Sequence, residues 1–348
     1  MYDGLARMRG MMMRHARLAI WIILMVFGAC GGCAPKDFEA RSIEPPPFDR
    51  SIVCAEQNLH RIVVFRADSD WSDSANLLWE WTPQSDPGVE CDHRDWFRYP
   101  TECKTVANGE AILMTASDGA VALLDVRRRR VKFYARAGGN PHSAEVLPDG
   151  NLVVASSTGN TLSLFAVPAK PSQPYFDGKP AAQYPFADAH GCVWDRERKL
   201  LWVLGRDELA AFEYNFVKSA PALVRRESYR LDDRRYLPAS LQKRFPPSRR
   251  LHFYGHDLFP IPGGSELLLS GGFTLLKFDT VSRNFTVAWE MRNLKSVSVN
   301  PADGKLLFLR PTRSWWSDSL RLRDGDAYTL PGARFYKGRW FSLNRFSY

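Results

Sequence analysis

Five basic residues stand in one repeated context. Lys104-Thr105-Val106, His142-Ser143-Ala144, His190-Gly191-Cys192-Val193, His256-Asp257-Leu258 and Lys295-Ser296-Val297 each place a histidine or lysine at or just before a short apolar run. A leucine follows ten residues after His142 and His190, as Leu152 and Leu200, and eleven after His256 and Lys295, as Leu267 and Leu306. Three of the seven histidines occupy this one position, so a repeated structural unit brings them to equivalent places. Imidazoles titrate near neutral pH and serve as acids, bases or ligands, whereas lysines neutralise anions. Converging, the five side chains suit elimination across a uronic acid unit, in which the carboxylate is neutralised, the adjacent carbon deprotonated and the leaving oxygen protonated. His142, His190 and His256 are also a candidate divalent-metal triad. Asn140, Trp194, Asp195, Gly255 and Asp257 flank the group as candidate binding or shaping residues, and Gln57 is the counterpart chosen for the first unit. No GxSxG nucleophile motif occurs.

The positioning elements are short strands. A polar residue followed by a β-type run recurs at Arg61-Ile62-Val63-Val64, Glu110-Ala111-Ile112-Leu113, Asn151-Leu152-Val153-Val154, Lys199-Leu200-Leu201-Trp202, Glu266-Leu267-Leu268-Leu269 and Lys305-Leu306-Leu307-Phe308. The spacing fits one four-stranded propeller blade of about 40 to 50 residues. Turns such as Pro148-Asp149-Gly150-Asn151 and Pro301-Ala302-Asp303-Gly304 supply the backbone angles that hairpins need. We therefore expect an all-β fold over 50–348: a single propeller of six blades, with the aromatic segment Arg334 to Phe341 closing the ring in the sixth blade or against the first. A seventh blade would have to lie in the insertion Asn215 to Pro247, whose Arg, Asp and Pro content reads as loop.

Residues 1–29 read as a signal peptide, with Arg7, Arg9, Arg14 and Arg17 before a twelve-residue apolar run from Leu18 to Ala29. That run is shorter than the roughly 20 residues that span a bilayer. Phe27-Gly28-Ala29-Cys30 resembles a bacterial lipobox with Phe in place of the usual Leu, so Cys30 is the expected lipidation site; Cys33 and plain secretion are alternatives. Residues 30–49, with Pro45-Pro46-Pro47, read as a tether. The expected location is the bacterial envelope, as a periplasmic or surface lipoprotein. In that oxidising setting Cys91 and Cys103, flanking a Trp- and Arg-rich loop, are the expected disulfide, and Cys54 and Cys192 read as buried thiols.

The formal charge is +9, from 47 Lys and Arg against 38 Asp and Glu. For an exported chain this favours an acidic oligosaccharide or polysaccharide, together with the membrane through the lipid anchor, over nucleic acid. Trp96, Trp315 and Trp316 fall in loops, where aromatic faces either stack on sugars or pack between blades.

The segments Gly138-Gly139-Asn140-Pro141-His142-Ser143, Ala189-His190-Gly191-Cys192-Val193-Trp194-Asp195, Gly255-His256-Asp257-Leu258-Phe259-Pro260 and Lys295-Ser296-Val297 together resemble an uncharacterised family of secreted bacterial propeller proteins. A looser resemblance links them to propeller lyases of acidic sugars, such as oligogalacturonate lyase, where three histidines and a glutamine hold a divalent metal at the mouth. That resemblance implies His142, His190, His256 and Gln57 as the ligand set here. Two classes of function stay open: a carbon-oxygen lyase using His142, His190, His256, Lys104 and Lys295, and a non-catalytic propeller binding a glycan or protein.

Overall fold

Alternating β-branched, leucine and aromatic runs, separated by turns rich in Gly, Asp and Asn, leave this chain short strands that must bury both faces. The computed structural model describes residues 42–347 other than 170–172, 177, 232–233, 238 and 247; the signal segment, Cys30 and Cys33 lie outside the described residues. Six sheets, antiparallel except for the short parallel edge strand Tyr175–Phe176 on the second, follow one another as the blades of a six-bladed β-propeller. Their innermost strands are Phe335–Trp340, Pro100–Val106, Pro141–Val146, Gly191–Asp195, Asp257–Pro260 and Ser296–Val299, for blades 1 to 6 in turn. Contacts between these strands carry the ring around a central channel.

Blade 1 closes the ring, and closure moves its strands one place outward. The C-terminal strand Phe335–Trp340 takes the innermost position and pairs with Ser51–Glu56, which becomes the second strand. Arg61–Arg66 is consequently the third strand of blade 1, not the second as the apolar repeat suggests. At Gly338 the closing strand passes so near blade 6 that a Cβ there would stand 1.9 Å from Leu320 Cδ2.

Among its described residues the insertion contains no seventh blade. Leu223–Arg230 within it is the outer strand of blade 4, pairing with Glu208–Tyr214. The only α-helix among the described residues is the single turn Ala239–Gln242. The end of the tether packs on the ring: Ile43 donates its N–H to Arg127 O at 2.9 Å, and Phe48 stacks on Phe341 with ring centroids 5.2 Å apart.

The core lies between the blades rather than at one centre, as the repeat requires. Each interface buries large side chains, for example Trp79 and Phe97 between blades 1 and 2 and Trp202 and Phe278 between blades 4 and 5. The channel is left to polar residues.

Candidate functional site

The mouth of the channel is defined by backbone register. His190, His256 and Lys295 each donate their N–H, at 2.9 Å, to the carbonyl of the last residue of the neighbouring strand, which is Leu204, Ser270 and Leu309 respectively. His142 occupies the same place at a bulge between Pro141 and Ser143. Blades 1 and 2 carry the same irregularity, which puts Tyr336 and Thr101 at the corresponding positions. The ring at the mouth is therefore Tyr336, Thr101, His142, His190, His256 and Lys295.

Five of these six touch in sequence. The Tyr336 hydroxyl lies 2.8 Å from His142 Nδ1. The His142 and His190 rings are 4.4 Å apart, and His190 and His256 5.3 Å. Lys295 Nζ stands 3.2 Å from His256 Nε2 and 3.4 Å from Nδ1, and 5.9 Å from the centre of the Tyr336 ring. Because a carbonyl only accepts, the 2.9 Å contact of His190 Nδ1 with Asp188 O places a proton on Nδ1 and turns a lone pair on Nε2 into the mouth.

Below the ring the channel is filled by charge. Arg339 donates to Glu102 at 2.8 and 3.0 Å and to Asp257 at 2.7 and 3.0 Å. Lys337 donates to Asp257 at 3.0 Å, to Glu102 at 3.3 Å and to His142 O at 3.1 Å. Lys104 reaches Cys192 O at 2.6 Å, Ala144 O at 3.0 Å and Glu145 at 3.3 Å. These three cations and three carboxylates are essentially inaccessible to solvent. Burial alone would raise the Glu102 and Asp257 pKa values, but Arg339 and Lys337 outweigh it and hold both carboxyls below their usual range. The result is a neutral ionic plug that makes the channel blind beneath the mouth.

Electrostatics at the mouth run the other way. Burial, reinforced by neighbouring imidazoles and by Lys295 and Lys337, pushes His142 and His256 well below the usual histidine value. Burial also lowers His190 to about 4, against the opposing pull of Asp188. Lys295, desolvated and facing Lys337, falls to about 8. At neutral pH the site is three uncharged imidazoles, a phenol held protonated by burial, and one ammonium that feels the Asp188 carboxylate beside His190 but has no carboxylate within ion-pair distance among the described residues.

Several expectations need correction. Lys104 is three strand positions past the ring, level with Glu145, and belongs to the plug rather than the mouth. Asp257 likewise serves the plug. Gln57 is not the blade 1 counterpart, since the closing strand puts Tyr336 there; Gln57 lies beside the mouth, donating to Pro100 O at 3.1 Å and accepting from Trp315 Nε1 at 3.0 Å. Trp194 is buried against Tyr214 and Phe216 in the core. Asp195, at the far end of its strand, pairs with Arg198.

Asn140 keeps a place near the ring, in the turn before His142, with its side chain on Ser157. Gly255 permits the close passage that sets His256, because a Cβ there would meet Gly205 O at 2.3 Å.

The metal expectation also fails the geometry. Among the described residues no three His, Cys, Asp or Glu side chains are disposed to hold a metal ion. The Lys295 ammonium stands 3.2 Å from His256 Nε2, where a cation shared by the three imidazoles would have to sit. Nor are Cys91 and Cys103 joined. The Cys103 thiol is fully buried and faces Val53 O at 3.5 Å, whereas Cys91 is exposed. The Cys103 side chain packs inward between blades because its neighbours Glu102 and Lys104 take the channel side of the strand.

Comparison with known proteins places the chain in a family. Residues 12–348 match a family of unknown function, DUF6528. The chain belongs to that family. No curated protein matches it. Among solved structures it is similar to the hydrazine synthase of Kuenenia stuttgartiensis, at 15% identity over 67% of this chain and 66% of that one with a TM-score of 0.43. It is also similar to a chain of a mitotic checkpoint complex, at 12% identity over 73% of this chain and 67% of that one with a TM-score of 0.47. At this distance neither similarity bears on what the mouth does.

The depressed histidines make stability depend on pH in a definite direction. An unfolded histidine takes up a proton near pH 6.5, while His142, His190 and His256 in the folded ring do not, so below that pH the unfolded state binds more protons. Stability should be full above pH 6.5 and fall as pH drops toward 4, by on the order of 3 kcal/mol from His190 alone. Urea unfolding at pH 7.5, 6 and 5 measures this. A free energy constant across that window would show that the imidazoles are not desolvated.

Proposed function

We propose that the mouth binds the carboxylate of an acidic carbohydrate. The observation that carries this reading is Lys295: a half-buried ammonium at the open end of a plugged channel, bordered by neutral imidazoles, which feels Asp188 but has no carboxylate within ion-pair distance among the described residues. A buried cation without an anion is unfavourable, and an incoming carboxylate relieves it. The rim suits a sugar. Trp315 is 51% exposed, Tyr254 44% and Tyr99 42%, and all lie in loops on the side of the ring residues, where faces of this kind stack on pyranose rings. Arg334 and Arg313, with guanidiniums 5.2 and 5.9 Å from the centre of the Trp316 ring, add positive charge there.

Elimination is the chemistry these groups favour once such a unit is bound. Lys295 neutralises the carboxylate, and the uncharged His256 imidazole beside it takes the proton from the adjacent carbon. The Tyr336 phenol gives its proton to the leaving oxygen, so the C–O bond breaks as the C=C bond forms. Burial and Lys295 leave His256 uncharged, with a lone pair that can take a proton in this second reading. The test is a set of acidic oligosaccharides offered to the purified protein, with binding followed by calorimetry and unsaturated products by ultraviolet absorbance. Saturable binding that weakens with salt supports capture, and new absorbance supports elimination. Absence of binding to every acidic oligosaccharide would overturn both.

We further propose that the protein is exported to the bacterial envelope and held there by a lipid on Cys30. Cys30→Ser should then move it from the membrane to the soluble fraction; retention in the membrane would contradict the lipid anchor.

A further inference from the structure

We propose that Lys295 is also a carbonyl-reactive amine, condensing with the aldehyde or ketone of a small oxo-acid or of a sugar's open-chain form to give an imine. The inference rests on the mouth being the ligand site but not on the ligand being an acidic glycan.

The geometry separates Lys295 from the other lysines of the channel. Lys337 and Lys104 lie buried in the plug, the first bonded to two carboxylates and one backbone carbonyl and the second to one carboxylate and two carbonyls. Lys295 opens its strand at the mouth, partly exposed, beside the His256 nitrogens and the Tyr336 ring, with Lys337 and Asp188 as the charges that act on it. A lysine becomes nucleophilic when desolvated or placed near another cation, and here both conditions hold, with Lys337 as the second charge.

The reaction closes with the groups present. The Nζ lone pair attacks the carbonyl carbon and the C=O π pair moves to oxygen. His256, 3.2 Å from Nζ, carries a proton from nitrogen to that oxygen to give a carbinolamine. The remaining nitrogen proton passes through His256 to that hydroxyl, the C–O bond breaks as the oxygen leaves as water, and the nitrogen lone pair forms the C=N bond. Amine plus carbonyl gives imine plus water, with no oxidant or further reactant.

At pH 8 about half of Lys295 is free amine, against well under about 1% of an ordinary lysine. The reactive fraction is thus about a hundredfold greater. The test uses the folded full chain with glyoxylate and sodium cyanoborohydride, which reduces the imine to a stable secondary amine, followed by intact mass and peptide mapping. Glycolaldehyde, similar in size and uncharged, is run in parallel. The expected result is one adduct on the Lys295 peptide, faster with glyoxylate, rising with the free-amine fraction by up to about fiftyfold from pH 6 to 8 and missing in Lys295→Arg, whose fold is checked by its unfolding midpoint. Lys305→Arg, on an exposed turn, should label like wild type. Labelling spread over surface lysines with Lys295 no richer than Lys305 would overturn the inference. If acidic oligosaccharides bind but no Lys295 adduct forms, the amine is a charge only and the glycan reading survives. An adduct at Lys295 without any glycan binding supports the inference and removes that reading.

Discussion

Arg339→Met should cost about 3–5 kcal/mol of folding free energy, the largest single-residue loss anticipated in this protein. The guanidinium makes four hydrogen bonds to Glu102 and Asp257 and a fifth to Val297 O at 3.1 Å. Its removal leaves two buried carboxylates with Lys337 as their one remaining salt-bridge partner. Burial would then dominate and raise both carboxyl pKa values, so the variant should regain protons at a higher pH than wild type. The sign follows: protonation removes an uncompensated charge in the variant but a paired one in wild type, so the stability gap should narrow as pH falls. Denaturant unfolding at pH 7 and pH 5 measures both quantities. A loss below about 1 kcal/mol at pH 7 would mean that the plug is not what locks the closing strand to blades 2 and 5.

Lys295→Ala should weaken binding of an acidic oligosaccharide about 10- to 100-fold, the range for losing a hydrogen bond to a charged group. Its effect on stability should be small or favourable, because it deletes a desolvated cation that no carboxylate balances. The pairing of large binding loss with little stability loss distinguishes a ligand group from a structural one. Lys337→Met provides the contrast. That lysine is fully buried between Glu102 and Asp257, and its replacement should lower stability strongly. Equal binding by Lys295→Ala and wild type would exclude Lys295 as the carboxylate partner.

Much of this could be read from the chain. The recurring polar-then-apolar runs indicated a six-bladed ring, and the matched spacing of His142, His190, His256 and Lys295 to a following leucine placed all four at one mouth. The spacing works because strand pairing fixes how far a turn can set the first strand from the second. What was not legible came from ring closure. Since the last strand becomes the innermost strand of blade 1, Tyr336 joins the mouth and Lys337 and Arg339 enter the channel, more than 190 residues from His142. No local pattern marks such a residue as a partner. The alternation Tyr336-Lys337-Gly338-Arg339 was nonetheless a usable signal, because two cations flanking a glycine in a strand that must be buried call for carboxylates elsewhere.

Lys104 was misplaced for a related reason. Its context, Lys-Thr-Val, resembles Lys295-Ser296-Val297, but the strand Pro100–Val106 begins four residues earlier and carries a bulge. The true counterpart, Thr101, has no titratable side chain to draw notice. Cys103 follows from the same register, since a residue between two channel-facing charges must point into the blade interface, away from Cys91.

The most direct test of the central claim is isothermal titration of a uronic acid oligosaccharide and its carboxyl-reduced counterpart into wild type and Lys295→Ala. Binding of the acidic form alone, weakened by added salt and by loss of Lys295, is the result expected of a mouth that recognises a carboxylate. Equal affinity for both sugars, unchanged in Lys295→Ala, would contradict it.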